Sequence, residues 1–132
     1  MTFKKQIEAI IWKAVSKKLS FDVFVPEQKE FGQYSTNVAL RAGGKNPIAF
    51  AHDLTQKIRE AAPPGFFEKV EAAPPGFINF WISPKAFAGE LTAILKSGAR
   101  YGASKIGRGR KVQLEFVSAN PTGPLTLANG RG

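Results

Sequence analysis

The sequence contains no cysteine and only one histidine, His52, among its 132 residues. Disulfide bonds and cysteine-ligated metals are therefore excluded, and a metal site built from protein side chains is not expected. No apolar run approaches the roughly 20 residues that a membrane-spanning helix needs. The N-terminus also lacks the apolar core and cleavage site of a secretory signal. These absences predict a soluble, cytoplasmic protein.

Acidic residues are scarce, with 10 Asp and Glu against 19 Lys and Arg, which gives a net charge of +9. No acid lies between Glu90 and Glu115, whereas six basic residues lie there: Lys96, Arg100, Lys105, Arg108, Arg110 and Lys111. A second basic cluster falls in the first predicted helix. A solvated surface explains any single lysine, but two clusters in so basic a chain favour a polyanionic partner such as RNA.

Helices are predicted over residues 2–19, 34–40, 47–61 and 84–98. In the first, apolar residues recur every three or four positions. The third and fourth begin with Asn46-Pro47 and Ser83-Pro84, which are typical of a cap followed by a first-turn proline. In the fourth helix the apolar residues are expected to face inward; they are Phe87, Leu91, Ile94 and Leu95.

Strands are predicted at residues 21–25, 67–73 and 77–82, and the last two form an antiparallel hairpin bracketed by two Pro-Pro-Gly turns. The fold class is therefore α+β, with helices packed on one face of a small antiparallel sheet. A glycine- and lysine-rich segment at 102–109 is the best boundary. We assign 1–106 to one domain and 107–132 to the start of another.

The second segment reads as a buried strand over 112–117, a loop broken by Pro121, Gly123 and Pro124, and the start of a helix. Open α/β sheets bind ligands at such strand-to-helix loops, because the helix N-terminus offers free N–H groups to an anion. A plain connection without a ligand fits the same pattern.

Four blocks in the right order resemble arginyl-tRNA synthetases. EFVSANPTGPL at 115–125, followed by NGRG at 129–132, is similar to that family's signature region. FGQYSTNVAL at 31–40 and FEKVEAAPPGFINF at 67–80 resemble blocks of its N-terminal domain, and Tyr101-Gly102 resembles the junction that follows. The resemblance implies an N-terminal additional domain followed by the first strand and helix start of a Rossmann-like catalytic domain.

The resemblance also implies that the N-terminal domain contacts the D-loop at the outer corner of tRNA. The contacts fall on Phe77, as a stacking platform, and Asn79, as an amide that pairs with a base edge. Strand alternation places both on one face, although a strand phenylalanine is more commonly part of the core.

For the signature loop, the resemblance assigns Glu115, Ser118 and Asn120 to arginine. It assigns Thr126, Asn129 and Gly130 to ATP, with Thr126 and Asn129 in the catalytic positions. The family has His-Ile-Gly-His where this chain has Thr126-Leu127-Ala128-Asn129. The two histidines donate hydrogen bonds to ATP phosphates as the adenylate forms. Thr126 and Asn129 also donate, but neither carries a positive charge.

The implied protein is the N-terminal part of an arginyl-tRNA synthetase, a monomer that activates arginine with ATP and transfers it to tRNA(Arg). No metal is expected in this segment, and the segment alone is expected to be inactive because the guanidinium pocket lies beyond Gly132. A stand-alone basic RNA-binding module is the alternative. A nucleotide hydrolase is a weaker one, because the chain has no Gly-x-x-x-x-Gly-Lys loop and no candidate catalytic base.

Overall fold

The computed structural model describes residues 2–15, 19–42, 44–115 and 122–128. The chain divides into two compact units, Met1–Gly98 and Ala99–Gly132. The helices are α1 (Phe3–Ala14), α2 (Val38–Ala42), α3 (Pro47–Ala61) and α4 (Pro84–Ser97), with short 3-10 turns at Lys29–Phe31 and Gly98–Arg100. The strands are β1 (Val23–Phe24), β2 (Tyr34–Thr36), β3 (Phe67–Ala73) and β4 (Phe77–Ile82).

The four strands form one antiparallel sheet in the order β1-β2-β4-β3, so that β4 lies inside the sheet. Helices α1 and α3 cover one face of it. The core between them is apolar and consists mainly of Ile7, Ile10 and Ile11 from α1, Leu54 and Ile58 from α3, Val70 from β3, and Ile78, Phe80 and Ile82 from β4. This arrangement confirms the predicted α+β class, with helices on one face of a small antiparallel sheet.

The helix-start signals and the hairpin are confirmed. The Asn46 side chain accepts a hydrogen bond from the Ala49 N–H (3.2 Å), and α3 runs from Pro47 to Ala61 as predicted. Ser83 caps α4 in the same way, accepting from the Ala86 N–H (3.1 Å). The hairpin strands β3 and β4 have the predicted bounds.

The helix predicted over 34–40 is wrong, because residues 34–36 form strand β2 and helix α2 begins only at Val38. Ser35 and Thr36 pair with both β1 and β4, and Tyr34 pairs with β4. The Thr36 hydroxyl donates to the Asp22 carbonyl (2.7 Å) and accepts from the Val38 N–H (3.3 Å). The hydroxyl therefore joins the end of β2 to the start of α2.

Two other elements are shorter than predicted. Helix α1 ends at Ala14 rather than near Leu19, because Val15 is extended (φ −101°, ψ 136°), and residues 16–18 lie outside the described part of the chain. The strand predicted at 21–25 is reduced to β1, whose pairing with β2 covers only Val23 and Phe24.

The inward-facing apolar stripe predicted for α4 is also wrong. No described residue of α4 is buried, and Phe87, Leu91 and Leu95 are 44%, 57% and 72% exposed. Phe87 alone touches a neighbouring aromatic ring, that of Phe3, at 5.0 Å between centroids. Helix α4 has an amphipathic pattern, but its apolar side is not buried against the sheet, because α1 and α3 already fill the covered face.

The predicted strand at 112–117 is not formed in its described part, residues 112–115. Val112 and Leu114 are 72% and 74% exposed, and no described strand pairs with this segment. A strand requires a partner, and the described sheet belongs wholly to the first unit. The assignment of 107–132 to a catalytic domain stays a prediction.

Candidate nucleic-acid interface

The strand β4 divides its side chains between the two faces of the sheet. Ile78, Phe80 and Ile82 lie in the core, so Phe77, Asn79 and Trp81 lie on the opposite face, which we call the open face because no described helix covers it. Cross-strand pairing extends this face over the whole sheet, since directly opposite residues share a face. One row runs from β1 to β3 and consists of Phe24, Ser35, Asn79 and Glu71.

A pocket of about 250 Å³ lies on the open face. Its lining residues are Phe24, Pro26, Phe31, Ser35, Ala73, Pro74, Phe77 and Asn79. The rings of Phe24 and Phe77 stand edge to face, with centroids 6.1 Å apart. Phe77 is half-buried and lies outside the core cluster. Sequence alternation therefore placed Phe77 and Asn79 correctly on one face, and the structure brings them into one pocket.

The two buried polar residues of this pocket, Ser35 and Asn79, differ from the other buried polar residues in their hydrogen bonding. Among the described residues five polar side chains are buried, and three of them have hydrogen-bond partners: Thr36, Thr55 and Ser83. Ser35 and Asn79 are each only 3% exposed, yet neither side chain has a partner among the described residues. Every described side-chain nitrogen or oxygen that is sealed from solvent has a hydrogen-bond partner. The polar atoms of Ser35 and Asn79 therefore reach solvent through the pocket they line.

The loop between β1 and β2 forms one wall of the pocket and is fixed against β4. The Gln33 N–H donates to the Phe80 carbonyl (3.0 Å), and the Gln33 side-chain oxygen accepts from the Ile82 N–H (2.9 Å). Gly32 has φ +85°, and a Cβ at this position would lie 2.5 Å from the Phe80 oxygen. The close approach that only glycine permits therefore holds Phe31 at the pocket.

The Lys69 cation and the ring of Trp81 lie on the same face of the sheet as the pocket. The Lys69 Nζ is 4.6 Å from the centroid of the Trp81 ring and 2.5 Å from a Glu71 carboxylate oxygen. Both charged side chains are about half exposed (53% and 51%), so this ion pair contributes little to folding stability. The pair places a cation and an anion together on the open face, so it adds no net charge there.

Of the residues predicted for arginine and ATP, the structure describes Glu115 and Thr126. Glu115 and Thr126 are exposed. Ser118, Asn120, Asn129 and Gly130 lie outside the described residues. Their predicted roles stay predictions.

The described residues show neither a metal cluster nor a membrane-spanning helix. No three His, Cys, Asp or Glu side chains among them are grouped so that they could hold a metal ion. Among the described helices, none combines the length and the hydropathy required to cross a membrane.

Sequence reasoning missed most of the pocket around Phe77 and Asn79. Ser35 was hidden by the mistaken helix at 34–40, and Phe24 and Phe31 carried no signal of their own. The signal that could have found Ser35 is strand alternation. If residues 34–36 are taken as a strand, only Ser35 faces away from the core.

A family model described as the arginyl tRNA synthetase N-terminal domain matches residues 1–82. The chain is 37% identical over 131 residues to an arginine–tRNA ligase of Thermotoga maritima, which covers 97% of this chain and 23% of that protein. It is 40% identical over 146 aligned positions to an arginine–tRNA ligase of Coxiella burnetii, which covers 99% of this chain and 24% of that protein. The chain thus spans about a quarter of the length of these relatives.

Among solved structures, the arginyl-tRNA synthetase of Plasmodium falciparum matches with a TM-score of 0.48 and 21% identity, over 67% of this chain and 16% of that one. The family match has more weight, because it extends over residues 1–82 of 132 and includes the whole sheet. The chain therefore belongs to the arginyl tRNA synthetase N-terminal domain family.

Proposed function

We propose that this chain is the N-terminal part of an arginine–tRNA ligase and that its open face binds the D-loop of tRNA(Arg). The whole enzyme activates arginine with ATP and transfers it to the tRNA in the cytoplasm. Family membership and the ligases matched along nearly the whole chain support the proposal. The same matches disfavour a stand-alone RNA-binding module.

The observation that supports the RNA-binding part of the proposal is that Phe77 and Asn79 line the same pocket. Single-stranded RNA loops are recognised by stacking of unstacked bases on aromatic rings and by hydrogen bonds to their edges. Phe77 supplies a ring that is not consumed by the core, and Asn79 supplies an amide with no partner among the described residues. An apolar pocket with one free amide fits a nucleobase better than it fits a peptide charge or a phosphate.

The charge of the chain fits the same partner. A net charge of +9 attracts a polyanion, because Lys and Arg side chains contact its phosphates. Phosphate contacts of this kind supply affinity, while the pocket supplies selectivity.

The catalytic contribution of the segment is proposed from the resemblance of its signature loop. In the full ligase Glu115, Ser118 and Asn120 bind arginine, and Thr126, Asn129 and Gly130 bind ATP. Thr126 and Asn129 stabilise the phosphates by neutral hydrogen bonds where the family uses histidines. Residues 107–132 then begin the catalytic domain, and the 132-residue chain alone has no ligase activity.

The test is truncation of the two pocket residues. Phe77→Ala is expected to weaken binding of labelled tRNA(Arg) to the 132-residue chain by about tenfold, since stacking on an aromatic ring contributes roughly 1–3 kcal/mol per base. Asn79→Ala is expected to weaken it less. Trp12→Ala is the control for loss of an aromatic ring that lies elsewhere, because Trp12 is on α1, at the opposite side of the sheet.

Circular dichroism melting separates binding from folding. The proposal requires Phe77→Ala to lower affinity in a chain that melts within a few degrees of the wild type. If Phe77→Ala melts early and its folded fraction binds tRNA normally, Phe77 is a structural residue and the RNA-binding part of the proposal fails.

A further inference from the structure

Ser35 is a buried hydroxyl that the fold itself does not use. Its neighbour Thr36 is equally buried, but the Thr36 hydroxyl has both a donor and an acceptor partner within the fold. Ser35 has none among the described residues, and it lines the same pocket as Asn79. We propose that Ser35 is a second base-reading residue of this pocket, which acts with Asn79 to determine the base that the pocket accepts. This inference rests on the proposed tRNA-binding function.

The register of the sheet places the two groups side by side. Ser35 lies directly opposite Asn79 on neighbouring strands and on the same face. The Cβ atoms of such a pair are about 4.5–5.5 Å apart, so both polar ends reach one ligand. Asn79 offers two N–H donors and a carbonyl acceptor, and Ser35 offers one O–H donor and two lone pairs. Together they present adjacent polar groups, which match neighbouring groups on the edge of one base.

Discrimination among bases needs this second group. A single amide pairs with several base edges, because its donor and acceptor find partners on more than one base. A hydroxyl fixed about 5 Å away must be satisfied at the same time. A base that satisfies only one group leaves the other desolvated and unpaired, and this penalty rejects it.

The unpaired Ser35 hydroxyl lowers the stability of the free protein. A hydroxyl held in an apolar pocket without a protein partner is destabilising, since it loses part of its hydration and gains no hydrogen bond. Removing it relieves that cost in the free protein but removes a hydrogen bond from the complex. Truncation of a residue kept for binding therefore lowers affinity but not stability, whereas truncation of a residue kept for folding lowers stability.

The experiment compares Ser35→Ala with the wild-type chain on a set of tRNA(Arg) transcripts in which each D-loop nucleotide is replaced in turn by the other three. For the wild type, we expect one position at which replacement weakens binding about tenfold or more. Ser35→Ala is expected to lower affinity for the unaltered transcript about three- to tenfold, the size of one hydrogen bond, and to reduce discrimination at that position by a similar factor. Its melting temperature is expected to be unchanged or higher.

Thr36→Val is the control for loss of a buried hydroxyl. Because both partners of the Thr36 hydroxyl remain behind, this variant is expected to melt earlier while its folded fraction keeps wild-type discrimination. If Ser35→Ala behaves like Thr36→Val, or keeps full discrimination, the inference about Ser35 is overturned. That result leaves the proposed function intact so long as Phe77→Ala still weakens binding; if Phe77→Ala has no effect either, the proposed function itself has failed.

Discussion

Substitution of Gly32 by alanine is expected to reduce the free energy of unfolding by about 2–4 kcal/mol. The backbone at Gly32 (φ +85°, ψ −169°) lies in a region that only glycine occupies readily, and occupying it costs another residue roughly 1–3 kcal/mol. The new methyl group would also lie 2.5 Å from the Phe80 carbonyl oxygen and 3.0 Å from its carbon. These are backbone atoms of an interior strand and cannot move aside. The loop must therefore withdraw, which strains or breaks the bond from the Gln33 N–H to Phe80, at about 1 kcal/mol.

Gly44→Ala is a matched control, because Gly44 also has a positive φ (+57°) but no atom lies within 4 Å of its added Cβ. This variant incurs only the conformational cost of a left-handed residue, about 1–2 kcal/mol. The difference between the two variants isolates the close approach of the loop to β4. We expect it to be about 1 kcal/mol or more, which is the cost of the strained Gln33–Phe80 hydrogen bond once the conformational cost common to both variants is subtracted.

Urea unfolding of both variants, followed by tryptophan fluorescence, measures this difference. Trp81 reports directly, because its ring lies 3.1 Å from the position of the added methyl group. The displaced loop carries Phe31, which lines the pocket, so folded Gly32→Ala should also bind tRNA more weakly than folded Gly44→Ala. Equal loss of stability in the two variants would refute the reasoning, since the contact with Phe80 would then contribute nothing.

Three other outcomes are expected. Affinity of the chain for tRNA should fall more than tenfold between about 50 and 200 mM salt, and salt-independent binding measured by titration would argue against phosphate contacts. Leu54→Ala, in the core, should cost about 2–5 kcal/mol by urea unfolding, whereas Leu91→Ala, with Leu91 57% exposed on α4, should cost under about 1 kcal/mol; a large loss at Leu91 would mean that the helix face is covered. Amide hydrogen exchange should be slow in α3 and faster in α4 and across 99–115, and uniform protection would contradict this ranking.

The sequence predicted well those elements whose bounds are determined by local chemistry. Helix α3 begins where Asn46 and Pro47 start it, and the hairpin has the bounds that its two Pro-Pro-Gly turns impose. Phe77 and Asn79 were placed on one face because a strand alternates with period two, whatever covers that face. These inferences needed no knowledge of distant residues.

The errors arise where a distant partner decides the outcome. Residues 34–36 form a strand because β1 and β4 lie on either side of them, and no local signal reports those partners. The stripe on α4 was correctly identified as apolar, but periodicity does not say what covers it, and within the described residues nothing buries it. The pocket combines both cases, since Ser35 faces Asn79 only after β2 has docked. Its unpaired hydroxyl follows from the tertiary arrangement and has no trace in composition or spacing.

The alternation of β4 separates two kinds of evolutionary constraint on six consecutive residues. Ile78, Phe80 and Ile82 are held to their volumes by the core, where the loss of one methylene group already costs stability. Phe77 and Asn79 face a pocket, so their replacement alters the lining of that pocket while the packing of the core is unchanged. Under the proposed tRNA-binding role, a lineage changes the preferred base through substitutions at alternate positions, without passing through an unfolded intermediate. The same separation allows the pocket side of the strand to be redesigned in an otherwise unaltered domain.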